Sequence, residues 1–177
     1  MYTNFMARRT SRLQSEIRQT RPFRSAWQEA FLSVLKTADV FRRAVSGVVG
    51  PYGITPQQYN VLRILRGAEP EGLPTLAIAE RLIEETPGVT RLLDRLEARR
   101  LIRRARCTTD RRQVLCRISP AGLRLLERLD PFITGPETLL EKTWSAAEAR
   151  ALIGLLDRAR DAMAGRFVPD NHDDQRS

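Results

Sequence analysis

Histidine is almost absent from this 177-residue chain: the single one, His172, lies close to the C-terminus in a polar stretch. A Ser-His-Asp triad, a Cys-His pair and a His-rich metal site all need a core histidine, so none is expected, and neither metal nor cofactor is assigned. Cysteine is scarce too. Cys107 and Cys116 alone make neither a disulfide framework nor a four-thiolate zinc site. No glycine-rich phosphate loop occurs, and Asp39, Glu80 and Glu84 form no evident acid–base pair, so an enzyme is not expected. Long apolar runs are missing as well. The longest uncharged stretch, 44–62, holds Gly47, Gly50, Pro51, Gly53 and Pro56 and is unfit to cross a membrane. No apolar run follows the N-terminal Arg8, Arg9 and Arg12, so no signal peptide is read and a cytoplasmic location is expected.

Lysine is nearly missing, so the positive charge of the chain is almost wholly arginine. Of 30 basic residues only Lys36 and Lys142 are lysine; the rest are arginine, and the formal net charge is +9. Arginine presents a rigid donor fork suited to phosphate and base edges, which makes nucleic acid the first partner to consider. Apolar residues at 42% suffice for a core.

Periodicity is mostly helical. Residues 1–22 are a polar, basic extension with either a short helix around 7–19 or nothing stable. Ala30, Phe31, Val34, Leu35, Ala38, Phe41, Val45, Val48 and Val49 recur at gaps that predict one long amphipathic helix, ended by Gly50-Pro51-Tyr52-Gly53. Thr55-Pro56 starts a second helix with Tyr59, Leu62, Ile64 and Leu65 inward. A short third helix spans 75–82. A fourth starts at Thr86-Pro87, cap then proline, and continues to about Arg99. Residues 101–107 and 114–118 alternate as a two-stranded hairpin. Ser119-Pro120 opens a fifth helix to about Ile133, interrupted near Gly135-Pro136. Ser145 and Glu148 form a capping box for the last helix, which reaches about Met163. Residues 166–177 read as a disordered tail.

A short helix, a brief link, a longer helix and a charged hairpin describe a winged helix-turn-helix. Ile78, Leu82, Val89 and Leu92 are the expected mini-core. Thr86, Pro87, Gly88, Thr90, Arg91 and Arg95 are left at the start and outer face of the second helix. Short side chains there admit a DNA backbone, and Thr90 and Arg91 reach for base edges. The hairpin adds Arg103, Arg104, Arg106, Asp110, Arg111, Arg112 and Arg117. The same helix pair also suits plain core packing, and Asp94–Arg91 and Glu97–Arg100 are spaced for intrahelical pairs. The clustered hairpin arginines weigh for DNA. A winged-helix interaction or assembly module without specific DNA readout is the alternative; it has no need of Arg112 at the tip.

Residues 85–104 and 108–126, with Asp110-Arg111-Arg112 in the wing and Ile118-Ser119-Pro120-Ala121-Gly122 after it, resemble the MarR family of bacterial transcription regulators. The likeness extends over about 25–165. It implies a mainly α fold with a small β-hairpin wing and a helical dimerisation arm. Residues 23–54 and 120–165 would form the arm, and 55–119 the DNA-binding lobe. It implies a homodimeric, ligand-responsive repressor on a pseudo-palindromic operator. Arg112 matches the family's minor-groove arginine and Asp110 its wing-orienting acid, which also suits the turn itself. Arg100 stands where the family usually has glycine in a left-handed helix end, at a cost of roughly 1 kcal/mol for arginine if that geometry is kept.

The family often binds small aromatic acids between arm and lobe. From Trp27, Phe31, Phe41, Tyr52, Tyr59, Phe132 and Trp144, the selected ligand-binding residues are Phe41, Tyr52 and Tyr59, with Arg42 or Arg43 for a carboxylate; helical spacing also suits core roles. Cys107 and Cys116, as neighbours across the hairpin, would make a redox switch; two packed thiols are the plainer reading. Peroxide-sensing members carry their cysteine near the first helix, where this chain has none.

Overall fold

The computed structural model describes residues 11–84, 88–106 and 114–164, with Pro136 by its backbone only. Among the described residues, seven α-helices and three strands occur in the order α1 (Arg12–Glu16), α2 (Ala26–Val49), α3 (Pro56–Arg66), β1 (Leu73–Pro74), α4 (Thr75–Arg81), α5 (Val89–Ala98), β2 (Ile102–Arg106), β3 (Val114–Ile118), α6 (Pro120–Thr143) and α7 (Ala146–Met163), with a 3-10 turn at Gly50–Tyr52 after α2. Caps set several starts. Ser25 accepts from the Gln28 amide ahead of α2, and Thr55 and Gln58 close a capping box with Pro56 at the first helical position of α3.

The chain divides into two compact units, residues 1–130 and 131–177. In the first, Val61, Leu62 and Leu65 of α3, Ile78 of α4, Leu93 and Leu96 of α5, Ile102 and Cys116 of the sheet and Leu126 and Leu129 of α6 are almost wholly buried. Of the expected mini-core only Ile78 is fully inside; Leu82, Val89 and Leu92 are half-buried, while Leu93 and Leu96 are buried. The basic extension is partly built in, with Leu13 buried, and Phe23 just after it is buried too. The second unit comprises the end of α6 and α7, whose capping box on Ser145 and Glu148 is formed.

Three expectations change. The hairpin is the larger part of a three-stranded antiparallel sheet, ordered β1-β3-β2, with Leu73 opposite Cys116 and Ile102 opposite Ile118. A two-residue strand is too short to show any period. α6 runs through Gly135-Pro136 without a break. A proline removes one backbone donor, and the neighbouring hydrogen bonds carry the helix across it. Finally, the register puts Arg104, not Cys107, across from Cys116. Cys116 is a free, buried thiol, and Cys107 lies outside the described residues.

Gly122 explains the small residue after the wing. A Cβ there would collide with the Leu101 carbonyl oxygen and lie 2.7 Å from Ile118 Cγ1. The start of α6 thus packs directly on the backbone that enters β2.

Candidate nucleic-acid interface

α5 is held by the helices beneath it. In the link leading to it, the Ile83 amide donates to Asn60 Oδ1 at 3.2 Å. Glu84 accepts from Arg42 Nε at 3.2 Å and from Gln57 Nε2 at 3.3 Å. At the far end, Arg99 donates to the Tyr52 carbonyl at 3.0 Å and to the Gly53 carbonyl. Leu93 and Leu96 face the core, so the helical period leaves Thr90, Arg91, Asp94 and Arg95 exposed. Gly88 precedes the helix at φ +91°, with nothing within 4 Å of where a Cβ would stand.

Thr86, Pro87, Asp110, Arg111 and Arg112 lie outside the described residues, as does the expected cap at Thr86; the described helix begins at Val89. Gly88, Thr90, Arg91 and Arg95 share the open end and outer face of α5. Arg104 is placed differently. The pleat sets it on the same face as Ile102, and its side chain is only 23% exposed. It reaches Asp94 Oδ1 at 2.6 Å, Glu97 Oε2 at 3.5 Å and the Thr90 carbonyl at 3.3 Å, while its amide donates to Glu97 Oε1. Arg104 is thus committed to joining the wing to α5. The pairings expected within α5 give way to it, since Asp94 turns to Arg104 rather than to Arg91. Sequence spacing offers Asp94 and Glu97 only partners within α5, not Arg104. An arginine alternating with Ile102 on a core-facing strand was the available signal, because such a cation must find acids nearby. The Cys116 thiol stands across the ladder. Burial pushes its pKa up, and Arg104 pulls it partly back.

The residues selected for a ligand do not form one wall. Tyr59 is a core residue, 6% exposed, with Arg63 over its ring at 5.9 Å. Tyr52 is half-buried beneath Arg128 at 5.0 Å. Phe41 is exposed on α2. Two clefts of about 400 Å³ are lined by other residues. Arg42 and Arg43 both pair with Asp39.

A short helix joined to a helix with arginines on its exposed face, followed by an antiparallel wing, defines a winged helix-turn-helix protein. The MarR family model matches residues 52–113. The HTH-type transcriptional regulator TtmR of Methylorubrum extorquens (strain PA1) is 35% identical over 136 residues, 76% of this chain and 67% of that protein. A MarR transcription factor from Planctomyces limnophilus, known by its crystal structure, is 36% identical, with a TM-score of 0.58 over 77% of this chain and 98% of that one. The fold is also that of Staphylococcus aureus MepR in its DNA complex, at a TM-score of 0.67 and 22% identity, covering 75% of this chain and 96% of that one. The chain belongs to the MarR family and is a transcription regulator. None of its described helices is long and apolar enough to cross a membrane.

Proposed function

We propose that this regulator is a cytoplasmic homodimer that reads a pseudo-palindromic duplex and acts as a repressor released by a small aromatic acid. The observation that carries DNA reading is the outer face of α5. Thr90, Arg91 and Arg95 stand free of the core, on a helix whose C-terminal end is fastened through Arg99. MepR, which shares the fold, has been solved with DNA. α5 is assigned to a major groove, and Arg112, with Arg111 beside it, to the flanking minor groove, with Asp110 orienting Arg112. Arg104 acts through α5 rather than on DNA.

The dimer reading rests on apolar surface. Trp27, Phe31, Val34, Leu35 and Phe41 of α2 are each more than two-fifths exposed, although they share the spacing of one helical face. The second unit likewise exposes Phe132, Leu139, Ile153 and Leu155. A second copy of the chain covers these faces, with 23–54 and 120–165 as the arm and 55–119 as the lobe. Effector binding at Phe41 and Tyr52 would act on the fastenings of α5, because Tyr52 itself accepts from Arg99.

The test is fluorescence anisotropy against the gene's own upstream DNA and a random duplex, titrated in salt. Preference for the upstream DNA that falls in Arg91→Ala and Arg112→Ala supports the reading. Equal binding to both duplexes, steep in salt and indifferent to either substitution, rejects it in favour of an interaction module.

A further inference from the structure

A cleft of about 410 Å³ opens where the C-terminal end of α5, the base of β2 and the start of α6 meet. Arg100, Arg103, Arg104 and Arg124 line it, with Glu97 as the acid in its wall. Glu97 is already engaged, because its two carboxylate oxygens serve the Arg104 amide and guanidinium. Arg104 is further neutralised by Asp94. Arg100, Arg103 and Arg124 are exposed, and none enters an ion pair among the described residues. Three arginines with no ion pair among the described residues therefore line one cleft, and like charges so placed favour an anion between them.

Arg100 sharpens the point. Its φ is +57°, the left-handed conformation that glycine holds at less cost. A charged side chain is kept at this position against its backbone preference, and it lines the cleft.

We propose that this cleft is a binding site for a free, multiply charged oxyanion: a phosphate, or a small molecule carrying phosphoryl groups. Guanidinium forks match phosphoryl oxygens two at a time, and the volume suits a small ligand. Of the α5 residues assigned to DNA, Thr90 and Arg91 lie near its Gly88 end, roughly 14–15 Å along the helix from Arg100, whereas Arg95 lies roughly 8 Å from it. The hairpin leads the other way as well, because Ile102 and Ile118 pair at its base, whereas Arg106 and Val114 pair nearest its tip. The inference does not depend on DNA binding and is tested without DNA.

The experiment is calorimetric titration of pyrophosphate into the full chain, with chloride held at matched ionic strength. The variants are Arg103→Gln, Arg124→Gln and, as a control on α7, Arg150→Gln. Saturable binding of one pyrophosphate per chain is expected, weakened about tenfold or more in each cleft variant and unchanged in Arg150→Gln. Absence of saturable binding overturns the proposal. So does equal weakening in Arg150→Gln, which would show diffuse attraction only. A duplex titration distinguishes the other source of phosphate. If Arg124→Gln weakens duplex binding but leaves pyrophosphate binding intact, the cleft contacts a nucleic-acid backbone and the proposal falls. Thermal unfolding in chloride checks that the exposed substitutions leave the fold intact.

Discussion

Arg99, which caps the C-terminal end of α5, donates from Nη2 to the Tyr52 carbonyl at 3.0 Å and from Nη1 to the Gly53 carbonyl. One side chain thereby ties the end of the exposed basic helix to the turn that follows α2. Both acceptors are backbone oxygens left outside a regular ladder, which a forked donor satisfies together. Arg99→Ala is expected to lower stability by about 1 kcal/mol, the contact being solvent-exposed. It should weaken duplex binding without any contact of its own to DNA. Arg99→Lys should recover little, since one ammonium does not span two carbonyls. Denaturant unfolding and anisotropy on the same samples check this.

The Arg104–Asp94 bridge gives a second expectation. Arg104 is mostly buried while Asp94 and Glu97 remain half in water, so removing the cation leaves acids that solvent can still hydrate. Arg104→Ala should cost about 1–2 kcal/mol. Arg104→Met should recover part of that through packing, since much of the guanidinium stem lies against the core. Yet duplex affinity should remain low in Arg104→Met, because the wing has lost its polar link to α5. Unfolding midpoints that fall equally in both variants would show that packing of the stem contributes nothing.

Arg100 leads to a substitution that stabilises. With φ at +57°, Arg100→Gly relieves a conformational cost of about 1 kcal/mol and should raise the melting temperature in an anion-free buffer. A lower melting temperature in that variant would contradict the left-handed helix end.

Cys116 should be slow to react. Burial raises its pKa above the ordinary thiol value, with Arg104 opposing part of the effect. In a Cys107→Ser background, iodoacetamide at pH 8 should label Cys116 far more slowly in the native chain than in denaturant. The pH dependence has a definite sign. A raised folded-state pKa means that its stabilising contribution is complete below the ordinary thiol pKa and fades as pH climbs through the folded value. Cys116→Val should therefore gain on the parent chain in alkaline buffer, as urea midpoints measured on both sides of that range would show.

Much of this was legible in the residue order. Apolar gaps of three and four, Thr55-Pro56, Ser145 with Glu148, and the alternation from 114 to 118 locate helices and strands, because these signals are local and each acts within a few residues of itself. The motif around Asp110 and Gly122 marks the family for the same reason. Other features needed the folded chain. β1 is two residues long and exists only because β3 passes beside it. The continuity of α6 across Pro136 depends on a ladder long enough to lose one bond. Arg104 carries the same chemistry as Arg103 in the sequence, yet one pleat step turns it inward to Asp94 and leaves its neighbour in water. Residue order alone locates most helices and the two longer strands, and shows that an arginine-bearing helix precedes an arginine-rich hairpin. Only the tertiary structure decided which arginines bind the protein to itself and which remain free for an anion. That choice rests on distance and burial, and both arise from contacts between residues far apart in the chain.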